Sequence, residues 1–367
     1  MQRIRPLLFV CASILATAAM IAIAAQGGLQ AASGDLLWED ILNLGFYRTE
    51  GHIAGIQHGR VYAVISGAFT DSPSSNAKVI TRAYDQKTGD IAWTDTWEVS
   101  ESDDFGRGAV ADDIVLVAAS TMLNRADETA TYNVRAYDGR TGAVLWSDTC
   151  GPGSPFNTGA RNVIAHAHQF VVAGDCQGRG FLRAYDAPTG AVDWETALSR
   201  AQGFRRDENL AAAGRGVFVV EVGPGDEWFV RGLDSRTGES LWISAPLLIG
   251  PFRLLAAGDV VAVTAQDGSV LRILDASTGQ TSWKADLGSG SPSPFLASLE
   301  GNRVSVMGSF GLRVYDARSG RLLSEDPDGV VLPGTVKGDM CFVAGSRIPL
   351  EPPMGLREFF LQAFDLH

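Results

Sequence analysis

The chain has 367 residues, 46% of them hydrophobic, enough to bury an extensive core. Its formal charge is -12 and no run of Lys or Arg appears, which excludes a phosphate-neutralising basic face and argues against nucleic acid as a partner. Forty-two glycines and 9% aromatics suit a chain of many turns and short strands.

Residues 1–25 stand apart. Arg3 and Arg5 give a short basic start, Leu7 to Ala25 carries no charge, and small residues gather at Ala22-Ile23-Ala24-Ala25. This is the pattern of a signal peptide with an Ala-x-Ala cleavage site. The apolar run is also near the minimum for an N-terminal membrane anchor, so residues 7–25 are the candidate for membrane association. Cys11 follows Leu8-Phe9-Val10, which is no lipobox. Either reading puts the body outside the cytoplasm, in a periplasmic or extracellular space. Residues 26–32 read as a linker.

From residue 33 onward a signature recurs, Asp-x-x-Thr/Ser-Gly-x-x-x-Trp. It reads Asp85…Thr88-Gly89…Trp93, Asp138…Thr141-Gly142…Trp146, Asp186…Thr189-Gly190…Trp194, Asp234…Thr237-Gly238…Trp242 and Asp275…Thr278-Gly279…Trp283. A sixth copy, Asp316…Ser319-Gly320, has Ser324 in place of Trp. The chain closes on Ala363-Phe364-Asp365-Leu366-His367, the front of a seventh copy whose back half, Ser33-Gly34-Asp35-Leu36-Leu37-Trp38, stands at the other end. The Asp positions lie 41 to 53 residues apart, the size of one four-stranded propeller blade. Each unit carries a Val-rich second strand, such as Val61-Tyr62-Ala63-Val64 or Val217-Phe218-Val219-Val220, of the kind buried on both faces. The Asp nucleates the turn between third and fourth strands, and the Gly supplies a positive φ. The Trp then lies on the outer strand and wedges against the next blade. The predicted fold is all-β: one seven-bladed propeller over residues 33–367, closed by an N-terminal strand that completes the last blade.

Ala-Tyr-Asp-x-x-Thr-Gly-x-x-x-Trp, cleanest at Ala83-Tyr84-Asp85, Ala136-Tyr137-Asp138 and Ala184-Tyr185-Asp186, resembles the repeat of the PQQ-like (pyrroloquinoline-quinone-like) β-propeller family. That family includes quinoprotein dehydrogenases, the propeller subunit of the outer-membrane β-barrel assembly machinery, and sensor domains of membrane kinases. The dehydrogenases it implies are much longer, clamp the quinone with adjacent cysteines and hold calcium. This chain has no adjacent cysteines, so no cofactor is expected. No nucleophile–base pair or phosphate loop is legible, so no catalytic residue is assigned. Seven Asp residues spread around a ring cannot converge on one ion. His166 and His168 share a strand face, but His168 falls at a hairpin turn, so no metal site is assigned either.

In a propeller the loops bearing Cys150 and Cys176 emerge side by side, which predicts a disulfide with Cys341 left as a buried thiol. The Trp residues 38, 93, 146, 194, 242 and 283 read as blade-to-blade packing rather than a binding surface. Loops entering the first strand of each blade carry Arg48, Asp104, Arg107, Arg161, Arg205, Arg206 and Arg253, and are candidates for docking a protein or peptide. The alternative is solvated loops paired with their own carboxylates. The function expected is an exported, non-enzymatic scaffold; the rivals are a PQQ-dependent dehydrogenase and a ligand-sensing ectodomain.

Overall fold

The computed structural model describes residues 35–46, 48–68, 76–100, 106–124, 129–153, 159–177, 179–198, 209–223, 227–247, 251–265, 269–288, 295–308, 310–326, 335–337, 339–347 and 357–365. Among the described residues every regular element is a strand, in seven four-stranded antiparallel sheets. The first strand, β1 (Leu36–Phe46), belongs to the last sheet. Blade one is β2 (Arg48–Gln57), β3 (Arg60–Ala68), β4 (Asn76–Asp85) and β5 (Ile91–Ser100). Blade two is β6 (Arg107–Ala111), β7 (Ile114–Asn124), β8 (Thr129–Asp138) and β9 (Val144–Gly153). Blade three is β10 (Gly159–His166), β11 (Gln169–Cys176), β12 (Arg179–Asp186) and β13 (Val192–Ala197). Blade four is β14 (Leu210–Ala213), β15 (Gly216–Val222), β16 (Trp228–Asp234) and β17 (Ser240–Ile243). Blade five is β18 (Pro251–Ala257), β19 (Val260–Ala265), β20 (Val270–Asp275) and β21 (Thr281–Asp286). Blade six is β22 (Phe295–Glu300), β23 (Arg303–Gly308), β24 (Gly311–Asp316) and β25 (Leu322–Asp326). Blade seven joins β26 (Thr335–Lys337), β27 (Met340–Arg347) and β28 (Arg357–Asp365) to β1, which pairs antiparallel with β28 from Leu36 opposite Phe364 to Phe46 opposite Arg357.

Second strands are apolar because both of their faces meet a neighbouring blade. All seven residues of β15 are buried, including both faces of the pleat. Outer strands alternate instead: in β13 Trp194 points inward and its neighbours are exposed. A one-residue bulge precedes the Trp position in every outer strand, between Ala83 and Tyr84 of the partner in blade one and between Leu36 and Trp38 in blade seven. The composite blade therefore has the same irregularity as the continuous ones.

The repeat turn is built as the residue types require. Asp85 Oδ1 accepts from the backbone N–H of Lys87 and Thr88, and Gly89 N–H donates to Asp85 O. Gly89 sits at φ 76°, in the left-handed region. It must be Gly for a second reason: a Cβ there would lie 2.6 Å from the ring of Trp38 in the preceding blade. Each Trp thus plugs the turn of the next blade, and its Nε1–H donates to the carbonyl after the turn Asp. Trp38 donates to Gln86, Trp93 to Gly139, Trp146 to Ala187, Trp194 to Ser235, Trp242 to Ala276 and Trp283 to Ala317, at 2.7–3.1 Å. Buried apolar clusters fill the interfaces between blades one and two, two and three, three and four, four and five, five and six, and seven and one.

Candidate functional site

All turns bearing the repeat Asp lie at one end of the blades, so differences in strand length appear at the other, the loop face. Measured back from that Asp, the third strand has 10 residues in blades one and two, 9 in seven and 8 in three. It has 7 in blade four and 6 in blades five and six. Four residues at strand rise is about 13 Å. Among the described residues, the third strands of blades seven, one and two therefore rise as a wall above the shelf formed by those of blades five and six. Cys150 and Cys176 form a disulfide at the end of the wall, Cα–Cα 5.9 Å, tying the outer strand of blade two to the second strand of blade three. Cys341 is buried and outside the disulfide, so the pairing read from the sequence is the one found.

The candidate docking residues fall into three groups. Asp104, Arg205 and Arg206 lie outside the described residues. Arg48 opens β2 and Arg161 occupies the bulge of β10 between Ala160 and Asn162, both on inner strands with undescribed side chains. Arg107 and Arg253, expected in loops, are on β6 and β18 and are only 6% and 5% exposed. The sequence reading missed that these two strands begin early enough to carry the Arg inward.

Their positions have a common logic. His52, Arg107, Asn162, Asn209 and Arg253 stand at one register level, opposite or bonded to Val64, Ala118, Ala173, Val220 and Thr264. The inner strand is a sheet edge, and its outward-facing backbone groups have no strand to bond. Side chains of this belt reach across instead. Arg253 Nη1 donates to Leu296 O of the next blade at 2.8 Å, and His52 Nε2 accepts from Gly108 N–H at 3.0 Å. Burial, and then the charge of Arg107, push the His52 imidazole down to about 3, so it is neutral and an acceptor at pH 7.

A second set escaped the sequence reading. Arg82 and Tyr84 both donate to Asp40 of the preceding blade, at 2.7 and 2.6 Å. Arg135 and Tyr137 do the same with Asp95, and Arg183 and Tyr185 with Asp148. Burial, then the hydrogen bond to the Asp, push the Tyr84 and Tyr137 phenols up, so both stay protonated donors. The signal was present as Trp-x-Asp in one blade and Arg-x-Tyr in the next.

At the turn end, His58 of blade one pairs with Asp113 of blade two, and His168 Nδ1 of blade three lies 2.6 Å from Asp112 Oδ2. His166, two residues before His168, bonds Gly214 O at 3.0 Å rather than sharing a ligand with it. Among the described residues no group of three His, Cys, Asp or Glu side chains could hold a metal, and no helix is long and apolar enough to cross a membrane.

Seven four-stranded sheets in a ring, six of them closed by the Asp turn and the seventh by pairing of the two chain ends, with a Trp sealing six of the seven seams, define a repeat-built β-propeller. The family model described as outer membrane protein assembly factor BamB matches residues 130–270 and 246–330, and the chain belongs to this PQQ-like β-propeller family. Among solved structures, BamB from Moraxella catarrhalis is 16% identical, with a TM-score of 0.51 over 91% of this chain and 100% of that one. The computationally designed Ika8 protein is 14% identical, with a TM-score of 0.50 over 84% and 95%. The Dos1 propeller is 14% identical, with a TM-score of 0.50 over 80% and 75%. At these identities the likeness is one of fold. No curated protein matches the chain.

Proposed function

We propose that this protein is an exported, non-enzymatic scaffold that docks a protein or peptide partner against the raised half of its loop face. The observation that carries the proposal is the unequal blade height: a wall on blades seven, one and two beside a shelf on five and six. A partner laid across the shelf meets the wall edge-on, and loops on a rigid ring hold its contacts in place. The disulfide beside the wall supports an oxidising compartment. Membership of a family described by an assembly factor supports a protein partner. Arg48 and Asp104, at the entries of blades one and two in the wall, and Arg161, Arg205 and Arg206, at the entries of blades three and four between wall and shelf, are the residues proposed to touch it. Arg107 and Arg253 are assigned to holding the inner strands.

The test separates docking from scaffold. Arg48, Arg161, Arg205 and Arg206 are changed together to Ser, and in a second variant Arg253→Ser alone. Tagged proteins are cross-linked in native membranes, and recovered partners are compared alongside Tm. The docking reading expects the quadruple variant to lose its partner with Tm unchanged, and Arg253→Ser to lower Tm. Undiminished recovery from the quadruple variant overturns it.

A further inference from the structure

At three seams the outer strand of one blade offers Trp-x-Asp to Arg-x-Tyr on the third strand of the next. The Arg Nη1 and the Tyr hydroxyl then converge on one carboxylate oxygen, Oδ2 of Asp40, Asp95 or Asp148, at 2.6–3.4 Å. Where the Asp is missing, the Tyr has gone too at two further seams. Thr196 and Ser244 take the Asp position before Arg231-Gly232-Leu233 and Arg272-Ile273-Leu274, and these two Arg reach the carbonyls of Ala197 and Pro246 instead. In blade seven the third-strand motif is itself replaced, by Gln362-Ala363-Phe364.

The seam between blades five and six departs from this rule. Blade six keeps Arg313-Val314-Tyr315, but blade five has Ala285 two residues after Trp283. The rest of the frame is in place. Trp283 and Ala285 pack against the buried cluster that holds Tyr315, and the Trp283 and Tyr315 rings lie 5.9 Å apart, as do those of Trp93 and Tyr137. Arg313 is held as Arg183 is. Its Nε and Nη2 bond Glu325 of its own blade, as those of Arg183 bond Glu195. Its guanidinium lies 4.1 Å over Phe310, as that of Arg183 lies 4.7 Å over Phe181. The difference is at Nη1. In Arg183 it donates across the seam to Asp148, whereas in Arg313 it has no hydrogen-bond partner among the described residues, and neither has the Tyr315 hydroxyl. The Tyr315 ring is buried, so its hydroxyl cannot swing to another acceptor.

We propose that the seam between blades five and six is a carboxylate-binding site, in which Arg313 Nη1 and the Tyr315 hydroxyl hold an external carboxylate above Ala285. The class of ligand is read from the molecule itself: the same two donors, on the same strand positions, hold a carboxylate at three other seams. A guanidinium and a phenol aimed at one point form a charge-assisted pair suited to such a group. Glu325 does not close the site, since Arg183 serves Glu195 and Asp148 at once. Solvent reaches it, because the side chains of Asp40, Asp95 and Asp148 are 23–33% exposed at the equivalent place. The site lies beside the Asp316 turn, away from the loop face, so either surface can fail its test without the other.

The probes are N-acetyl-aspartate N-methylamide, its asparagine counterpart as control, and acetate. Binding to the full chain is followed by NMR of ring-labelled tyrosine; the chain has seven tyrosines, and Tyr315→Phe identifies the signal to watch. Saturable movement of that signal is expected with the blocked aspartate, at least tenfold tighter than with the asparagine control. Acetate separates the sources: equal affinity marks a free small carboxylate as the ligand, and weaker binding marks an acidic side chain of a partner. Ala285→Asp supplies the carboxylate in cis and should raise Tm and weaken binding at least tenfold. Arg313→Gln should weaken binding at least tenfold as well. Tyr315→Phe gives a second reading, on stability: it should leave Tm unchanged, unlike Tyr137→Phe, because only the Tyr137 hydroxyl has a protein acceptor. The proposal is overturned if blocked aspartate and asparagine bind alike, if Ala285→Asp or Arg313→Gln leaves binding unchanged, or if Tyr315→Phe lowers Tm as much as Tyr137→Phe, which would mean that the chain already fills the site.

Discussion

Asp95 shows how much a single side chain can hold. Its Oδ2 accepts from Tyr137 at 2.8 Å and from Arg135 at 3.4 Å, both on the next blade, and Arg135 also lies over the ring of Trp97. Asp95→Ala leaves a buried phenol and a half-buried guanidinium without their acceptor, with an expected cost of about 2–3 kcal/mol in urea unfolding. Tyr137→Phe removes one donor and should cost only about 1 kcal/mol. Equal costs would mean the Asp serves its own strand instead. Partners here lie 40 and 42 residues apart. The repeat made Arg-x-Tyr and Trp-x-Asp visible in the sequence, but pairing them needed the knowledge that successive blades touch. His52 carries a pH signature of its own. Its folded-state value, about 3, lies below the 6.5 of an unfolded chain, so between those values the unfolded state takes up a proton that the folded state refuses. Stability is therefore full above 6.5 and falls as pH drops through that window, by about 2 kcal/mol at pH 5. The turn carboxylates, held below their usual range by turn hydrogen bonds, give stability that is lost only below about pH 4 and do not confuse this window. His52→Gln keeps an acceptor for Gly108 N–H and should flatten the urea midpoint between pH 5 and 6.5; the same slope in both proteins would refute the assignment.

At the scale of the element, the repeat turn was the most legible piece of the chain. Asp, Thr and Gly each declare a local backbone need, and the structure places every one as the turn chemistry dictates. Less legible was why the Gly is twice constrained. Its left-handed φ is a local property, whereas the Trp packed on it comes from another blade. Gly59 and Gly142 separate the two effects. Both have φ near 75°, but a Cβ on Gly59 meets nothing within 4 Å, and one on Gly142 would lie 2.7 Å from the Trp93 ring. Gly59→Ala should therefore cost about 1 kcal/mol, the backbone term alone. Gly142→Ala must also displace the indole and should cost roughly 3 kcal/mol. Making both in a Trp93→Ala background brings the two costs together if the indole is the cause, which thermal melts of the four variants and their two parents would reveal. The inner strands were the least legible element. Arg107 and Arg253 looked like loop charges because a polar residue at a strand end carries no period, and only the register opposite Ala118 and Thr264 fixes them inside.

For the whole molecule, the split seventh repeat is what the sequence made plain, and the ring explains why it is split. A propeller whose last blade is made from a single end is held shut by packing alone. Here a β-ladder joins residues some 320 positions apart: Trp38 opposite Ala363, Glu39 opposite Gln362, Asp40 opposite Leu361. The same strand does three further jobs. Trp38 seals the turn of blade one through Gln86 O, Asp40 accepts from Arg82 and Tyr84, and Glu39 accepts from Gln362 at 2.7 Å. Removing residues 1–46 therefore strips the outer strand from blade seven and the seal from blade one together. The lost aromatic burial, at about 3–5 kcal/mol, and the orphaned Tyr84 and Arg82, at about 2 kcal/mol, approach the whole stability of an ordinary domain. The shortened protein should melt far below the intact chain and self-associate through the bared edge of β28. Adding a peptide of residues 35–46 in excess should restore both the Tm and the monomer, because the ladder it forms is the native one, while the same peptide with Trp38→Ala should restore neither fully. An unchanged Tm on deletion, or rescue that ignores Trp38, would show that the ring is closed by its packing and not by this strand.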